Sequence, residues 1–239
     1  MSDKWLSPNS NEDSWERSSV RFPPTEDMKM LIEAIIFDKD GVLADSEKLK
    51  AQAWERALQP YGVDQGFDWY LENFGPSPVA LSEMAIAAFR FHADAQEVAN
   101  AWRTEYCAIE HSAEPITTNL QCLQRLARKY PIAVASSMDK AAIESEMERF
   151  GYLHHISICV SGEDVPNNKP APDVYLAAAT ALNVTPSSCV AIEDSPTGIS
   201  AAKAAGMLCI GYRNPLYCLD LSAADISTTD LYTVTLLWQ

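Results

Sequence analysis

The chain has 239 residues, 47% of them hydrophobic, enough to bury the core of one large domain or of a core plus a smaller unit. Asp and Glu total 33 against 18 Lys and Arg, a formal net charge of -15. Such a surface repels nucleic-acid phosphates and anionic lipid, so neither is expected as a partner, although a cleft with local cations can still take a small phosphorylated ligand. The cysteines (Cys107, Cys122, Cys159, Cys189, Cys209 and Cys218) form no Cys-x-x-Cys pair. Dispersed thiols of this kind read as reduced core residues, and a structural zinc site is disfavoured by their spacing. No apolar stretch is long enough to span a bilayer, and the N-terminus lacks a signal-peptide pattern. A cytoplasmic protein is expected, with a monomer favoured.

In chain order, residues 1–30 are polar, with Pro23-Pro24 near their end, and read as a mobile or loosely docked tail. Trp5 and Trp15 could pack on the body or on a partner, and Met28 and Met30 leave a later start open. Ile35-Ile36-Phe37 is a short apolar run that predicts a buried strand, followed by Asp38-Lys39-Asp40-Gly41. Residues i and i+2 of a strand point the same way, so Asp38 and Asp40 are expected together at its end, with Gly41 turning the backbone. Two like charges so close need a cation or a shared proton, and Mg²⁺ suits an all-oxygen site. Taken alone, the segment is also compatible with a strand followed by an acidic turn.

The stretch from about 46 to 112 is expected to be wholly helical. Leu49, Ala53, Trp54, Ala57 and Leu58 form a helical stripe that ends at Pro60 and Gly62. Phe67–Phe74 suits a second helix, stopped by Gly75-Pro76-Ser77-Pro78, and Val79–Phe91 and Glu97–Ile109 suit two more. From Pro115 the texture alternates. Helices are expected over Asn119–Tyr130, Asp139–Phe150, Asp173–Leu182 and Thr197–Ala205, with strands at Ile132–Ala135, Ile156–Val160, Val190–Ile192 and Leu208–Gly211. Leu231–Trp238 is expected to be a late strand or helix. One strand, a helical insertion and a run of α/β units predict a parallel sheet, whose ligands bind beyond the carboxyl ends of the strands.

Those strand ends carry polar residues. Ser136 and Ser137 follow one strand, Glu193 and Asp194 another, and Lys169 lies in the loop after a third. Each has a plain alternative: Ser136 as a helix cap, Lys169 as a solvated loop lysine, Glu193 and Asp194 as first-turn acids. Their convergence with Asp38 and Asp40 on one edge is what phosphoryl transfer needs. A carboxylate can attack phosphorus, a second can manage the proton, and a cation, a lysine and a hydroxyl can offset charge on the phosphoryl oxygens.

Four segments resemble the motifs of the haloacid dehalogenase superfamily. Phe37-Asp38-Lys39-Asp40-Gly41-Val42-Leu43-Ala44-Asp45-Ser46 is similar to the first, Ser136 to the second, Lys169-Pro170-Ala171-Pro172-Asp173 to the third, and the run from Ile192-Glu193-Asp194 to Gly206-Met207 to the fourth. The resemblance spans about residues 32 to 215, with the motifs in order. It implies a Rossmann-like α/β core with a small α-helical cap inserted after the first strand, as in the β-phosphoglucomutase-like and phosphoglycolate phosphatase-like branch. The chain then divides into a tail (1–30), a core (31–45 and 114–239) and a cap (46–113).

Carried over by position, the resemblance implies Asp38 as nucleophile and Asp40 as general acid/base. Ser136 and the neighbouring Ser137 would bind phosphate, and Lys169 would bridge phosphate and Asp38. Asp38, Asp194 and the Asp40 backbone carbonyl would hold Mg²⁺, with Glu193 supporting or sharing that role. Asp40 argues against a dehalogenase, whose first motif lacks it. Lys50 stands where a mutase would carry a cap-hinge histidine, and Pro78 stands near where it would carry an arginine. Lys50 is a candidate substrate contact; the alternative is a lysine on the exposed face of a cap helix. His92, His111, His154 and His155 match no motif. The expected function is Mg²⁺-dependent hydrolysis of a small phosphorylated metabolite, of the sugar phosphate or phosphoglycolate type, through an aspartyl phosphate. The alternatives are a phosphosugar mutase or a non-enzymatic interaction protein of the same fold.

Overall fold

The computed structural model describes residues 32–236; the tail expected over 1–30, with Trp5, Trp15, Met28 and Met30, lies outside the described residues, as does Trp238. Strand β1 (Ala34–Asp38) is apolar up to its last residue and buried throughout. Side chains alternate between the faces of a strand, and here both faces are covered. Ile35 and Phe37 pack with Leu120, Leu123, Ile143 and Met147. Ala34 and Ile36 pack on the other side with Val174, Tyr175, Ile199 and Ala202.

The remaining strands are β2 (Ala44–Asp45), β3 (Glu114–Pro115), β4 (Ile132–Ser136), β5 (Ile158–Ser161), β6 (Cys189–Glu193), β7 (Leu208–Tyr212) and β8 (Ile226–Thr228). Six of them form one parallel sheet in the order β5-β4-β1-β6-β7-β8. The Rossmann-like α/β core is therefore present. Its sheet carries β8, which has no counterpart among the expected strands. The short β2 and β3 pair antiparallel, Ala44 with Pro115 and Asp45 with Glu114. The chain thus leaves for its helical segment and returns from it side by side.

Helices α1 (Glu47–Leu58), α2 (Gly66–Asn73), α3 (Pro78–Phe89) and α4 (Ala95–Ile109) fill that segment. They share a core of their own around Trp54, Leu58, Tyr70, Leu81, Val98 and Trp102. Pro78 opens α3 instead of only stopping α2, because a first-turn proline lacks just the N–H that has no helical partner; Ser77 caps it through Ala80 N. The other helices are α5 (Thr117–Leu126), α6 (Lys140–Arg149), α7 (Asp173–Ala181), α8 (Pro196–Ala204) and α9 (Leu231–Leu236). The undecided C-terminal stretch is thus helical over its described part. Cys122, Cys159, Cys189 and Cys209 are buried as expected, whereas Cys107 and Cys218 are exposed, and all are free thiols. Among the described residues no helix is long and apolar enough to cross a membrane.

Candidate active site

Strand order decides what meets at the sheet edge. The chain runs β4 and β5 on one side of β1, then crosses to β6 on the other, which opens a crevice at the end of β1. Asp38 closes β1 opposite Ala135 of β4, and the neighbouring Phe37 pairs with Ile192 of β6. Ser136 and Glu193, one residue further on, therefore flank it. Lys169 reaches in from the loop after β5. Its Nζ lies 2.5 Å from Asp38 Oδ1, 2.7 Å from Glu193 Oε1 and 3.3 Å from the Ala135 carbonyl. With a side chain only 7% exposed, Lys169 is not a solvated loop lysine.

Glu193 is fully buried and spends both oxygens. Oε1 accepts from Lys169 and from the Tyr175 hydroxyl at 2.8 Å. Oε2 accepts from the amides of Asp194 and Ser195 and from Ser195 Oγ. Ser195, not an acid, caps α8. Gly198 lets that helix approach: a Cβ there would fall 1.6 Å from Glu193 Oε1. Asp194 accepts a short hydrogen bond from Tyr217 Oη. Behind it Gly41 has φ +77, and a Cβ on it would fall 1.9 Å from Asp194 Oδ2.

One oxygen each of Asp38, Glu193 and Asp194 lie within 4.8 Å of one another. Burial pushes the Asp38 carboxyl up to about 7, with Glu193 and Asp40 adding to the effect and Lys169 opposing it. Burial, then Glu193 and Asp38, likewise push Asp194 well up. Three buried carboxylates thus face one ammonium group, an arrangement a divalent cation relieves. The all-oxygen donor set fits Mg²⁺. Because Glu193 is saturated by donors, the open ligand oxygens belong to Asp38 and Asp194. The Asp40 side chain stands outside this cluster.

Asp40 lines the same cavity as Asp38 but has partners of its own. Its Oδ1 accepts from Ser46 Oγ at 2.5 Å and lies 3.2 Å from Lys39 Nζ and 3.4 Å from Lys50 Nζ. Ser136 Oγ donates to Oδ2 at 3.2 Å. Burial alone would raise its pKa, but Lys39, Lys50 and the Ser46 hydrogen bond outweigh it and hold the carboxyl well below the usual range. Ser136 is fully buried and receives Met138 N at 3.1 Å, while Asp139 caps α6. Of the two serines, it is Ser137 that lines the cavity, and its hydroxyl donates to Asn168 Oδ1 at 2.9 Å.

Across a cavity of about 490 Å³ stands the helical segment. That volume suits a small metabolite. Lys50 is on its wall, not on the exposed face of α1: the side chain is 13% exposed and Nζ lies 2.7 Å from Glu47 Oε1. Tyr70 donates to Glu47 Oε2 at 2.7 Å. Trp102 and Tyr106 stack on the same wall, 4° from parallel with centroids 5.4 Å apart. Phe74 meets Tyr217 edge to face at 4.7 Å, linking the helices to the ring beside Asp194. None of His92, His111, His154 and His155 lines the cavity.

Glu47, Tyr70 and Tyr217 are site residues that the sequence reading does not single out. For Glu47 there was a cue: it shares a helical face with Lys50 and Trp54 at spacings of three and four. Tyr217 lies in an aperiodic stretch and has no local cue.

The family model of the haloacid dehalogenase-like hydrolases matches residues 35–212. A validoxylamine A 7'-phosphate phosphatase of Streptomyces hygroscopicus subsp. limoneus is 32% identical over 204 residues, covering 83% of this chain and 94% of that protein. A fructose-1-phosphate phosphatase of Escherichia coli (strain K12) is 32% identical over 184 residues, covering 75% and 95%. Among solved structures, a HAD family hydrolase from Deinococcus radiodurans R1 with bound phosphate and sodium superposes with a TM-score of 0.69 at 25% identity, covering 85% of this chain and 93% of that one.

Proposed function

The chain belongs to the haloacid dehalogenase-like hydrolases, and from that premise we propose that it is a Mg²⁺-dependent phosphatase of a small phosphorylated metabolite of the sugar-phosphate type. The observation that carries this reading is Lys169, bridging Asp38 and Glu193 at the end of β1 with Asp194 alongside. The similarity to phosphatases of phosphorylated sugar-like compounds supports the substrate class. Residues 46–113 act as a cap over the cavity, and 31–45 with 114–239 act as the catalytic core. The free thiols accord with a cytoplasmic setting.

In this reading an Asp38 oxygen attacks phosphorus, the ester P–O bond breaks, and the leaving oxygen takes a proton from Asp40. Asp40, now a carboxylate, then takes a proton from water as that water attacks the phosphorus of aspartyl phosphate. The P–O bond to Asp38 breaks and inorganic phosphate leaves. Mg²⁺ held by Asp38, Asp194 and the Asp40 carbonyl would supply charge stabilisation at the phosphoryl oxygens. Lys169 and Ser137 bind those oxygens, while Glu193 positions Lys169, and Ser136 positions Asp40 in addition to its expected phosphate contact. Lys39 and Lys50 hold the Asp40 carboxyl well below the usual range, which favours the carboxylate required for the hydrolytic half. Substrate contact with Lys50 would loosen that hold for the protonating half.

The test is phosphate release from a panel of sugar monophosphates and an aryl phosphate, with Mg²⁺ or with chelator. Wild type should release phosphate only with the metal, and Asp38→Asn should lose roughly 10³-fold or more. Unchanged turnover in that variant would sink the nucleophile assignment. A requirement for a sugar bisphosphate without net phosphate release would favour the mutase instead.

A further inference from the structure

Resting on the phosphatase reading, we propose that the helical wall selects monophosphates of uncharged, hydroxylated alcohols and disfavours a second anionic group, with Glu47 as the residue that sets the preference. Among the described residues, each lysine at the reacting end is already shared by two carboxylates. Lys169 serves Asp38 and Glu193, Lys39 serves Asp40 and Glu146, and Lys50 serves Asp40 and Glu47. Arg103, the remaining cation of the cavity wall, is 65% exposed and lies 3.3 Å from Glu163. Among the described residues, both lysines that line the cavity are thus already committed, and its one arginine sits at the exposed rim.

Glu47 makes the preference sharp because it is buried, 4% exposed, and its carboxylate has two polar partners, Lys50 and Tyr70. A second anion on the substrate would have to draw Lys50 away, leaving Glu47 as a buried charge without its counter-ion. Separating a buried pair in this way is strongly unfavourable. Glu110, Asp139 and Glu163 line the same cavity and add repulsion. A hydroxyl behaves differently: it can donate to Glu47 or accept from Lys50 without separating them. Trp102 and Tyr106 line the same cavity and give that wall an apolar, aromatic character beside the C–H groups of such an alcohol.

The test uses binding, so that it does not depend on turnover. Calorimetry on the Asp38→Asn protein with Mg²⁺ compares fructose 1-phosphate, fructose 1,6-bisphosphate and phosphoglycolate. The monophosphate sugar should bind at least about tenfold more tightly than the other two, as separating Glu47 from Lys50 predicts. Adding Glu47→Gln, which releases Lys50, should narrow the gap to about threefold or less by strengthening the two anionic ligands. Tyr70→Phe, which leaves Glu47 more dependent on Lys50, should widen it, and serves as a second variant if Glu47→Gln does not fold. Equal or tighter binding of the bisphosphate or phosphoglycolate to the Glu47-containing protein overturns the proposal. So does a gap that neither variant moves. Phosphate release from an aryl phosphate by wild type is scored separately; its failure alongside the expected binding order would sink the phosphatase reading and leave the selectivity standing.

Discussion

At the sheet edge, Asp38, Lys169, Glu193 and Asp194 arrive from two strand ends and a loop and hold one another through direct hydrogen bonds and backbone amides. On the facing wall, Glu47 and Lys50 come from a single turn of α1 and rest among aromatic side chains. The first arrangement needs the whole parallel sheet to exist. The second needs one helix face. Changes at the edge should therefore touch every substrate, whereas changes on the helical wall should redistribute preference among substrates. On the proposed roles, topology would fix the reaction and single substitutions could change the choice of substrate.

The largest effect should come from Lys169→Met. Removing the ammonium group that bridges Asp38 and Glu193 should cost roughly 10³-fold in kcat for aryl and sugar phosphates alike, measured by phosphate release at saturating Mg²⁺. A loss confined to one substrate would break the distinction between the two walls. Tyr217→Phe should act more mildly. It keeps the ring against Phe74 and removes the hydroxyl that orients Asp194, so Mg²⁺ affinity should fall about tenfold, read by calorimetry without substrate. Unchanged affinity would mean that the hydroxyl does not position that carboxylate.

A smaller effect concerns stability. In metal-free protein the Asp38 carboxyl, facing Lys169, Glu193, Asp194 and Asp40, is pushed up to about 7 from 3.8 by burial and its acidic neighbours. Across that window the folded state keeps a proton the unfolded chain has lost, so stability falls as pH rises. Melting temperatures in chelator should therefore drop more steeply with pH for wild type than for Asp38→Asn, at roughly 2–4 °C per kcal/mol for a chain of this size. Parallel slopes would show that Asp38 does not carry the strain, and added Mg²⁺ should raise the melting temperature of wild type more than that of the variant.

The edge was legible because its residues abut apolar runs that can only be buried strands. Asp38, Asp40, Ser136, Glu193 and Asp194 are found by their place after Ile35–Phe37, Ile132–Ala135 and Val190–Ile192. What escaped is what depends on the return of distant chain. Tyr217 meets Asp194 only after β7 has ended, and β2 and β3 are too short to show a strand period. The burial of Lys50 escaped because a lysine on an amphipathic helix usually points to water, and only the cavity reveals that this one does not. The saturation of Glu193 was equally hidden, since its partners Tyr175 and Ser195 become partners only once α7 and α8 have packed.

If Asp38 takes the phosphoryl group, an acyl phosphate must form on its side chain. Wild-type protein mixed with ³²P-labelled aryl phosphate and Mg²⁺, then quenched in acid, should carry label in the peptide that contains Asp38. Hydroxylamine should release that label, and Asp38→Asn should acquire none. Phosphate release with no covalent label, or label on a different residue, would contradict the account.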